Sequence, residues 1–310
     1  QANIMKNKFK FVVVGNGVQG NKRKKIDKKN LVCVVDPIDK NADFRHIKEV
    51  PLNSFNSALV CTPDNQKIKI IEYLLFHDKN VLVEKPLIGS AKDLKKIFNI
   101  AKKKKLILYP AYNHRFEPNI IKVKNLIKKN YFGKIYSVNF FYGNGTSMLV
   151  KKSKWKDRSR GVLDDLGSHL MDLTDYLFKI NYKKKFKIVS LKKFENKSPD
   201  YAYFVYKEKN MLINYEMTYC MWKNSFKLDL IGSKGSLHMD CLCKWGPSKL
   251  SIRKRVKPSG YPIEKIKVLK MKDPTWLKEH LYFKSLILKK KYIDFSQRNI
   301  WISNTLQSIT

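Results

Sequence analysis

Apolar residues fall in short runs over the first hundred residues, separated by stretches with helical spacing. Phe9–Val14 (FKFVVV) has the β-branched character of a buried strand. Leu31–Val35, Ala58–Cys61, Val81–Val83 and Leu106–Tyr109 repeat it. Between them, Ile68–Phe76 and Asp93–Lys102 carry helical spacing. Such alternation implies right-handed βαβ units, hence an α/β domain with a doubly wound parallel sheet. Ligands of these sheets lie beyond the carboxyl ends of the strands. The residues there are Gly15–Gly20, Asp36, Thr62-Pro63, Glu84-Lys85-Pro86 and Tyr112–Phe116.

The second half has a different rhythm. Pro118–Lys129 has helical spacing, Ile135–Tyr142 alternates as a strand, and Gly143–Arg160 reads as a polar loop containing Ser153-Lys154-Trp155-Lys156 and Arg158. Gly161 opens a helix to about Phe178. Strands follow at Phe186–Phe194, Tyr201–Tyr206, Met211–Tyr219, Ser225–Ile231, Gly235–Met239 and Leu250–Val256, with a loop at Pro258–Pro262 and a helix at Trp276–Leu288. A run of antiparallel strands after α/β alternation predicts a second, α+β domain on an open, largely antiparallel sheet. The predicted domains are 1–117 and 118–310.

Composition narrows the class. Hydrophobic residues are 43% and aromatics 12% of 310, which supplies two cores and excludes disordered or collagen-like chains. No run approaches the roughly 18 apolar residues a membrane helix needs, and no apolar signal core opens the chain. Met5 is read as the native start, with Gln1–Ile4 an addition. Five Cys, an odd number in a long chain, point to a reduced, cytoplasmic protein rather than a disulfide framework.

Lys+Arg number 64 against 26 Asp+Glu, a net charge of +38. Such a balance attracts nucleic acid, anionic membranes or anionic substrates. Only eight of the 64 are Arg, however, and the Lys are spread along the chain. Surfaces that read phosphates and bases favour the planar fork of Arg. A codon-biased, Lys-rich composition is therefore the preferred reading; neither nucleic-acid binding nor membrane insertion is expected. A pull on anionic substrates survives in either case.

The glycine loop follows a predicted strand, and Asp36 closes the next one 16 positions after Gly20. That is the setting of a dinucleotide site: Gly15 makes the turn, Gly17 lets a pyrophosphate approach, and Gly20 lets the helix pack close. Asp36 would accept ribose hydroxyls and repel a 2′-phosphate, favouring NAD over NADP, with Lys40 and Arg45 near enough to weaken the preference. A tight turn with a capping acid, or a methyltransferase, carries similar features; the residues after the fourth strand separate these readings. There, Lys85 ends a buried strand and Pro86 follows, the one setting where a cis peptide costs little. A Lys held beside a cationic nicotinamide can exchange protons near neutrality.

On the helix from Gly161, at about 100° per residue, Leu163, Leu166, Leu170, Leu173 and Leu177 form a core stripe. Asp165, His169 and Asp172 form a separate polar stripe. It is a candidate cleft face; a solvated face with an (i, i+4) Asp–His pair and a metal site are the alternatives. With six His in the chain and no second one in register, no metal is expected. Cys241-x-Cys243 lacks a partner pair at zinc spacing.

Together these segments resemble the glucose–fructose oxidoreductase / inositol dehydrogenase (Gfo/Idh/MocA) family from Phe9 to about Phe178, with a weaker echo to the C-terminal helix. The family's GxGxxG opening is met by Gly15–Gly20, its TP by Thr62-Pro63 and its E-K-P by Glu84-Lys85-Pro86. Its aromatic–polar–Arg–Phe segment is met by Tyr112-Asn113-His114-Arg115-Phe116, and its D-x-G-x-H-x-x-D helix by Asp165, Gly167, His169 and Asp172. The chain departs from the pattern after the TP, where Asp64–Lys67 stand in place of a frequent His, and at Asp78-Lys79, near the usual Gly before the E-K-P strand. The link between the glycine loop and the second strand is also short.

The resemblance implies a Rossmann domain that binds NAD(P) through Gly15, Asn16, Gly17, Val18, Gln19, Gly20, Asp36, Thr62, Pro63, Glu84, Lys85 and Asn113. It implies a second domain whose open sheet serves substrate binding or oligomerisation, usually in a dimer or tetramer. It further implies proton transfer by Lys85 and His169 at a sugar carbon, with Asp165 orienting the substrate or His169, and substrate contacts from Lys85, Tyr112, Arg115, Asp165 and His169. The implied reaction is hydride transfer between nicotinamide and a secondary alcohol of a sugar. The Lys-rich loop Lys151–Arg160 suits a nucleotide-sugar of surface-polysaccharide biosynthesis. A polyol such as inositol is the rival, and a non-catalytic dinucleotide-binding regulator would not need Lys85, Asp165 and His169 together.

Overall fold

The computed structural model describes residues 9–153, 156–178, 180–183, 186–208 and 210–309. The expectations at Gln1–Met5 and at Lys154-Trp155 lie outside them. The chain divides into two compact units, Gln1–Asn113 with Trp276–Asn304, and His114–Thr275 with Thr305–Thr310.

The first unit opens with β1 (Phe11–Val14), α1 (Val18–Ile26), β2 (Leu31–Val35), β3 (Ser57–Val60), α2 (Asp64–Phe76), β4 (Asn80–Glu84), α3 (Ala91–Lys104) and β5 (Leu108–Ala111). The strands pair in parallel in the order β2-β1-β3-β4-β5. β1, β3 and β5 are buried at every position, as a parallel sheet covered on both faces requires. Beyond β2, Phe44 makes a single parallel bridge to Val35. A parallel neighbour normally needs a crossover of a dozen or more residues; the short link after Asp36 leaves one bridge where a doubly wound sheet carries an outer strand. α3 illustrates the local logic. Ser90 Oγ accepts the N–H of Asp93 at its start, Leu94, Ile97, Phe98 and Ala101 are buried, and Lys102–Lys104 sit in the last turn, where a cation favours the helix dipole.

The second unit contains α4 (Pro118–Lys128), β6 (Ile135–Gly143), α5 (Ser147–Lys152), a π turn (Leu163–Gly167), α6 (Ser168–Leu177) and seven strands. These are β7 (Lys187–Lys192), β8 (Tyr201–Glu208), β9 (Met211–Thr218), β10 (Ser225–Gly232), β11 (Gly235–Asp240), β12 (Ser248–Val256) and β13 (Gly260–Leu269). The sheet runs β13-β12-β11-β10-β6-β9-β8-β7. Only the β6–β9 pair is parallel. One face is apolar and buried, with Val138, Phe140 and Tyr142 on β6 and Ile213, Tyr215 and Met217 on β9, the alternation of a half-buried sheet.

Four expectations change. The polar loop 143–160 contains α5 and a 3-10 turn, Lys156–Arg158. The helix from Gly161 begins as the π turn before α6. The loop at Pro258–Pro262 is the hairpin into β13. The expected division after residue 117 falls after Asn113 instead, and Trp276–Asn304 belongs with the first unit. The last change has a packing cause: Phe283 and Leu286 of α7 (Thr275–Leu288), and Phe295 just before α8 (Ser296–Ser308), join the core around the parallel sheet. Among the described residues no helix is long and apolar enough to cross a membrane.

Candidate active site

The glycine loop is fixed from both sides. The N–H of Gly15 donates to Val35 O at 2.8 Å, and that of Cys61 to Val14 O at 2.7 Å. Gly15 has φ +95, and a Cβ there would lie 2.8 Å from the Cys61 carbonyl oxygen; only glycine fits. A Cβ at Gly20 would lie 1.8 Å from Gly15 O, so α1 packs directly on the turn. Gly17, at the N-cap of α1, has no described atom within 4 Å of its Cβ position. That opening, at a helix N-terminus, is an anion cradle. Asn16 is buried; its amide donates to Asp39, and Lys24 Nζ donates to its Oδ1 at 3.0 Å. Val18 is 74% exposed in the first turn. Buried Gln19 Oε1 and Thr62 Oγ1 have no hydrogen-bond partner among the described residues, and Pro63 caps α2. Open cradle and orphaned buried oxygens together fit a dinucleotide that spans the β1 and β3 ends.

Lys85 follows β4, half-buried, and the Lys85–Pro86 peptide is cis. The neighbouring Glu84, implied as a cofactor residue, presents its carboxylate elsewhere. It accepts Arg23 Nε at 2.6 Å, while Arg23 Nη2 donates to Glu279 at 2.6 Å and the Trp276 ring lies 4.5 Å from the guanidinium carbon. Burial opposes the charge of Arg23, but the two carboxylates more than offset it and hold the guanidinium above its ordinary value. Burial pushes Glu279 up to about 7 against the pull of Arg23. Glu84 therefore serves as an anchor beneath the Lys85 turn. Tyr112, expected on the substrate, is buried, with the Arg298 guanidinium 5.7 Å from its ring, and Asn113 is also buried.

In the second unit, α6 is buried nearly all round, so the expected polar stripe is not a solvated face. The π turn widens the helix ahead of Ser168, which breaks the 100° register linking Asp165 to His169 and Asp172. His169 stacks on His114 at 3.9 Å and 17°. Lys244 Nζ donates to His114 Nε2 at 3.1 Å and to Tyr142 Oη at 3.4 Å, and lies 4.3 Å from the Trp245 ring centroid. Tyr219 Oη donates to Asp165 Oδ2 at 3.4 Å. Burial, then the Asp165 charge, raises the phenols of Tyr142 and Tyr219 well above their ordinary value, so both remain donors. His169 thus packs on the His114 imidazole, with the Tyr142 ring 6.1 Å away; Lys244 reaches this group through His114 and Tyr142.

Arg115, expected on the substrate, instead ties the helix down. Its Nε donates to Asp172 Oδ2 at 2.5 Å and its Nη2 to Asp175 Oδ2 at 3.1 Å. Asp172 is fully buried. Tyr142, Lys244 and Tyr219 were not anticipated in the site, and His114 was read only as part of the Tyr112–Phe116 segment, with no role of its own. Tyr142 had a signal, the inward alternation of its strand; Lys244 had none, being one Lys among many. Cys243, seen only as an incidental thiol, donates to Glu117 at 2.8 Å. A cavity of ≈ 640 Å³ beside Lys124 and Tyr176 contains neither Asp165 nor His169 and is separate from the site. Among the described residues no group of three or more His, Cys, Asp or Glu could hold a metal ion.

Known proteins share this organisation. The oxidoreductase family with NAD-binding Rossmann fold matches residues 9–112, and the Gfo/Idh/MocA C-terminal domain matches residues 120–238. An uncharacterized oxidoreductase of Schizosaccharomyces pombe is 32% identical over 39% of this chain and 33% of its own length. Glucose-6-phosphate 3-dehydrogenase of Bacillus subtilis is 26% identical over 68% of this chain and 62% of its own. The chain thus spans between a third and under two thirds of these relatives. Levoglucosan dehydrogenase, solved in complex with NADH, superposes with a TM-score of 0.82 over 97% of this chain and 95% of its own at 15% identity, a likeness of fold. The first unit is an NAD-binding Rossmann domain, and the chain belongs to the Gfo/Idh/MocA family of oxidoreductases.

Proposed function

We propose that this chain transfers a hydride between NAD and a secondary alcohol of an anionic sugar, either a sugar phosphate or a nucleotide-sugar of the kind used in surface-polysaccharide biosynthesis. The observation that carries the reading is Lys85, held at the carboxyl end of β4 in a sheet whose glycine cradle is open. NAD, when bound, supplies the hydride acceptor. Lys85 or His169 takes the hydroxyl proton as the carbonyl forms, a transfer worth ~10²–10⁴ in rate. Asp165, itself hydrogen-bonded by Tyr219, orients the sugar or His169, and the second unit serves as the substrate domain.

Two features support an anionic substrate. Lys151, Lys152, Lys156 and Arg158 are all exposed on α5 and the turn after it. That turn is a built element: Asp157 is buried and accepts the N–H groups of Lys197 and Ser198 at 2.7 and 3.1 Å. The test is a turnover panel with NAD, following NADH absorbance on glucose 6-phosphate, UDP-glucose, levoglucosan and myo-inositol. The proposal expects the anionic sugars to lead by at least roughly tenfold in kcat/KM, about 1.4 kcal/mol of transition-state binding. A lead for levoglucosan or inositol would establish the polyol reading. Tight NAD binding with no turnover of any member would favour a regulator.

A further inference from the structure

Lys67 lies inside α2 and is 2% exposed. Its Nζ donates to Asp64 Oδ1 at 2.6 Å, to Glu84 O at 2.7 Å and to Pro86 O at 2.9 Å. An ammonium has three donors, and each meets one acceptor. The two carbonyls bracket Lys85: one belongs to the peptide entering it, the other to the residue after its cis bond. A buried ammonium is costly unless paired and hydrogen-bonded, and the Asp64 carboxylate supplies the counter-charge. Charge-assisted bonds of this kind are roughly twice as strong as neutral ones. The next residues are held from the other side, by Asn299 Nδ2 on Leu87 O at 3.0 Å and Ser303 Oγ on Gly89 O at 3.2 Å.

We infer that Lys67 is a positioning residue for Lys85: its ammonium fixes the backbone on both sides of Lys85 and so presents the Lys85 amine at one point beyond β4. The inference rests on the proposed role of Lys85. A planar guanidinium fans its donors outward in one plane, and an imidazole has at most two. Neither can replace three donors converging on a helix carboxylate and two turn carbonyls.

The test compares Lys67→Gln, Lys67→Arg, Lys85→Met and the double variant Lys67→Gln/Lys85→Met, with NAD and the best sugar of the panel above. Lys67→Gln should lower kcat by at least roughly tenfold, with KM for the sugar and Kd for NAD within about threefold, the split expected of lost positioning rather than lost binding. On the Lys85→Met background the same change should cost less than about twofold, because both residues act through one group. Amide exchange over residues 85–89 should speed up by roughly tenfold while residues 81–83 stay protected. Should Lys67→Gln fail to fold, Lys67→Arg keeps the charge but not the three-way geometry and should still lower kcat. Wild-type kcat in either single variant, or an equal loss with and without Lys85, would overturn the inference. Turnover surviving in Lys85→Met would instead bring down the reading of Lys85 itself.

Discussion

The backbone N–H of Asn16 donates to Asp36 Oδ2 at 2.7 Å, so the acid that closes β2 also fixes the glycine turn after β1. Its other oxygen accepts the N–H groups of Ile38 and Asp39, both at 2.9 Å. Burial would raise the Asp36 carboxyl, but the N–H groups of Asn16, Asp39 and Ile38, with Arg45 nearby, hold it below its ordinary value. The carboxylate is therefore ionised at neutral pH.

An ionised Asp36 backed by Asp39 opposes a 2′-phosphate. NAD(H) should bind more tightly than NADP(H) by at least about tenfold, and Asp36→Asn should narrow the gap while weakening the turn. Calorimetric titration of both cofactors reads this directly; equal affinities would remove the selectivity argument. Because the folded value is depressed, the stability Asp36 contributes is present above its ordinary value of about 4 and disappears as pH falls through the lower folded one. Wild type should therefore lose its stability advantage over Asp36→Asn only in acid.

Lys85→Met keeps side-chain length and removes the amine. Turnover should fall by ~10²–10⁴, with NAD affinity within about tenfold, since the adenosine half rests on Gly15–Gly20 and Asp36. A variant with more than half of wild-type turnover would mean that His169 handles the proton without it. A variant that unfolds would make Lys85 structural.

The Arg23–Glu84–Glu279 cluster predicts a pH dependence of stability near neutrality. Glu279 is pushed up to about 7 from an ordinary 4.5. Between those values the folded protein holds a proton that the unfolded chain has released, so this group's contribution falls as pH rises through that window and is level above it. At 1.36 kcal/mol per pH unit the full effect is on the order of a few kcal/mol. Glu279→Gln cannot titrate. In urea unfolding at pH 5, 6, 7 and 8, the variant should gain on wild type by about 1–3 kcal/mol across the range; a constant difference would show that Glu279 stays ionised throughout.

Periodicity made most of this fold readable. Val12–Val14 are β-branched and fully or nearly buried, and Phe140 and Tyr142 alternate inward as their strand requires. Gly15 and Gly20 of the turn are demanded by carbonyls within 3 Å of their Cβ positions, a constraint sequence spacing carries well. β13 was unreadable because it is exposed on both faces, so Ile263, Ile266 and Val268 show no inward side. α8 turns Arg298, Asn299, Ser303 and Thr305 inward beside Trp301 and Leu306, which blurs its apolar stripe. Lys67 and Lys244 could not stand out, since nothing local separates a lysine that clamps carbonyls or meets an imidazole from the solvated ones around it.

Arg115 gives the sharpest contrast between the two readings of one residue. As a substrate ligand, it would be lost at the cost of KM alone. The ion pairs to Asp172 and Asp175 predict otherwise. Asp172 is fully buried, and removing one partner of such a pair typically costs 3–5 kcal/mol, roughly, because a buried charge is left uncompensated. Arg115→Leu should therefore destabilise the second unit by at least about 2 kcal/mol. Asp172→Asn should cost less, since Arg115 keeps Asp175 and is partly exposed to solvent. The double variant Arg115→Leu/Asp172→Asn should recover part of the loss by removing the stranded charge. Because α6 carries His169, kcat should fall with stability in Arg115→Leu, while sugar KM in the folded fraction changes by less than about threefold. A large rise in KM at unchanged stability would return Arg115 to the substrate, and the Asp172 pair would then be incidental.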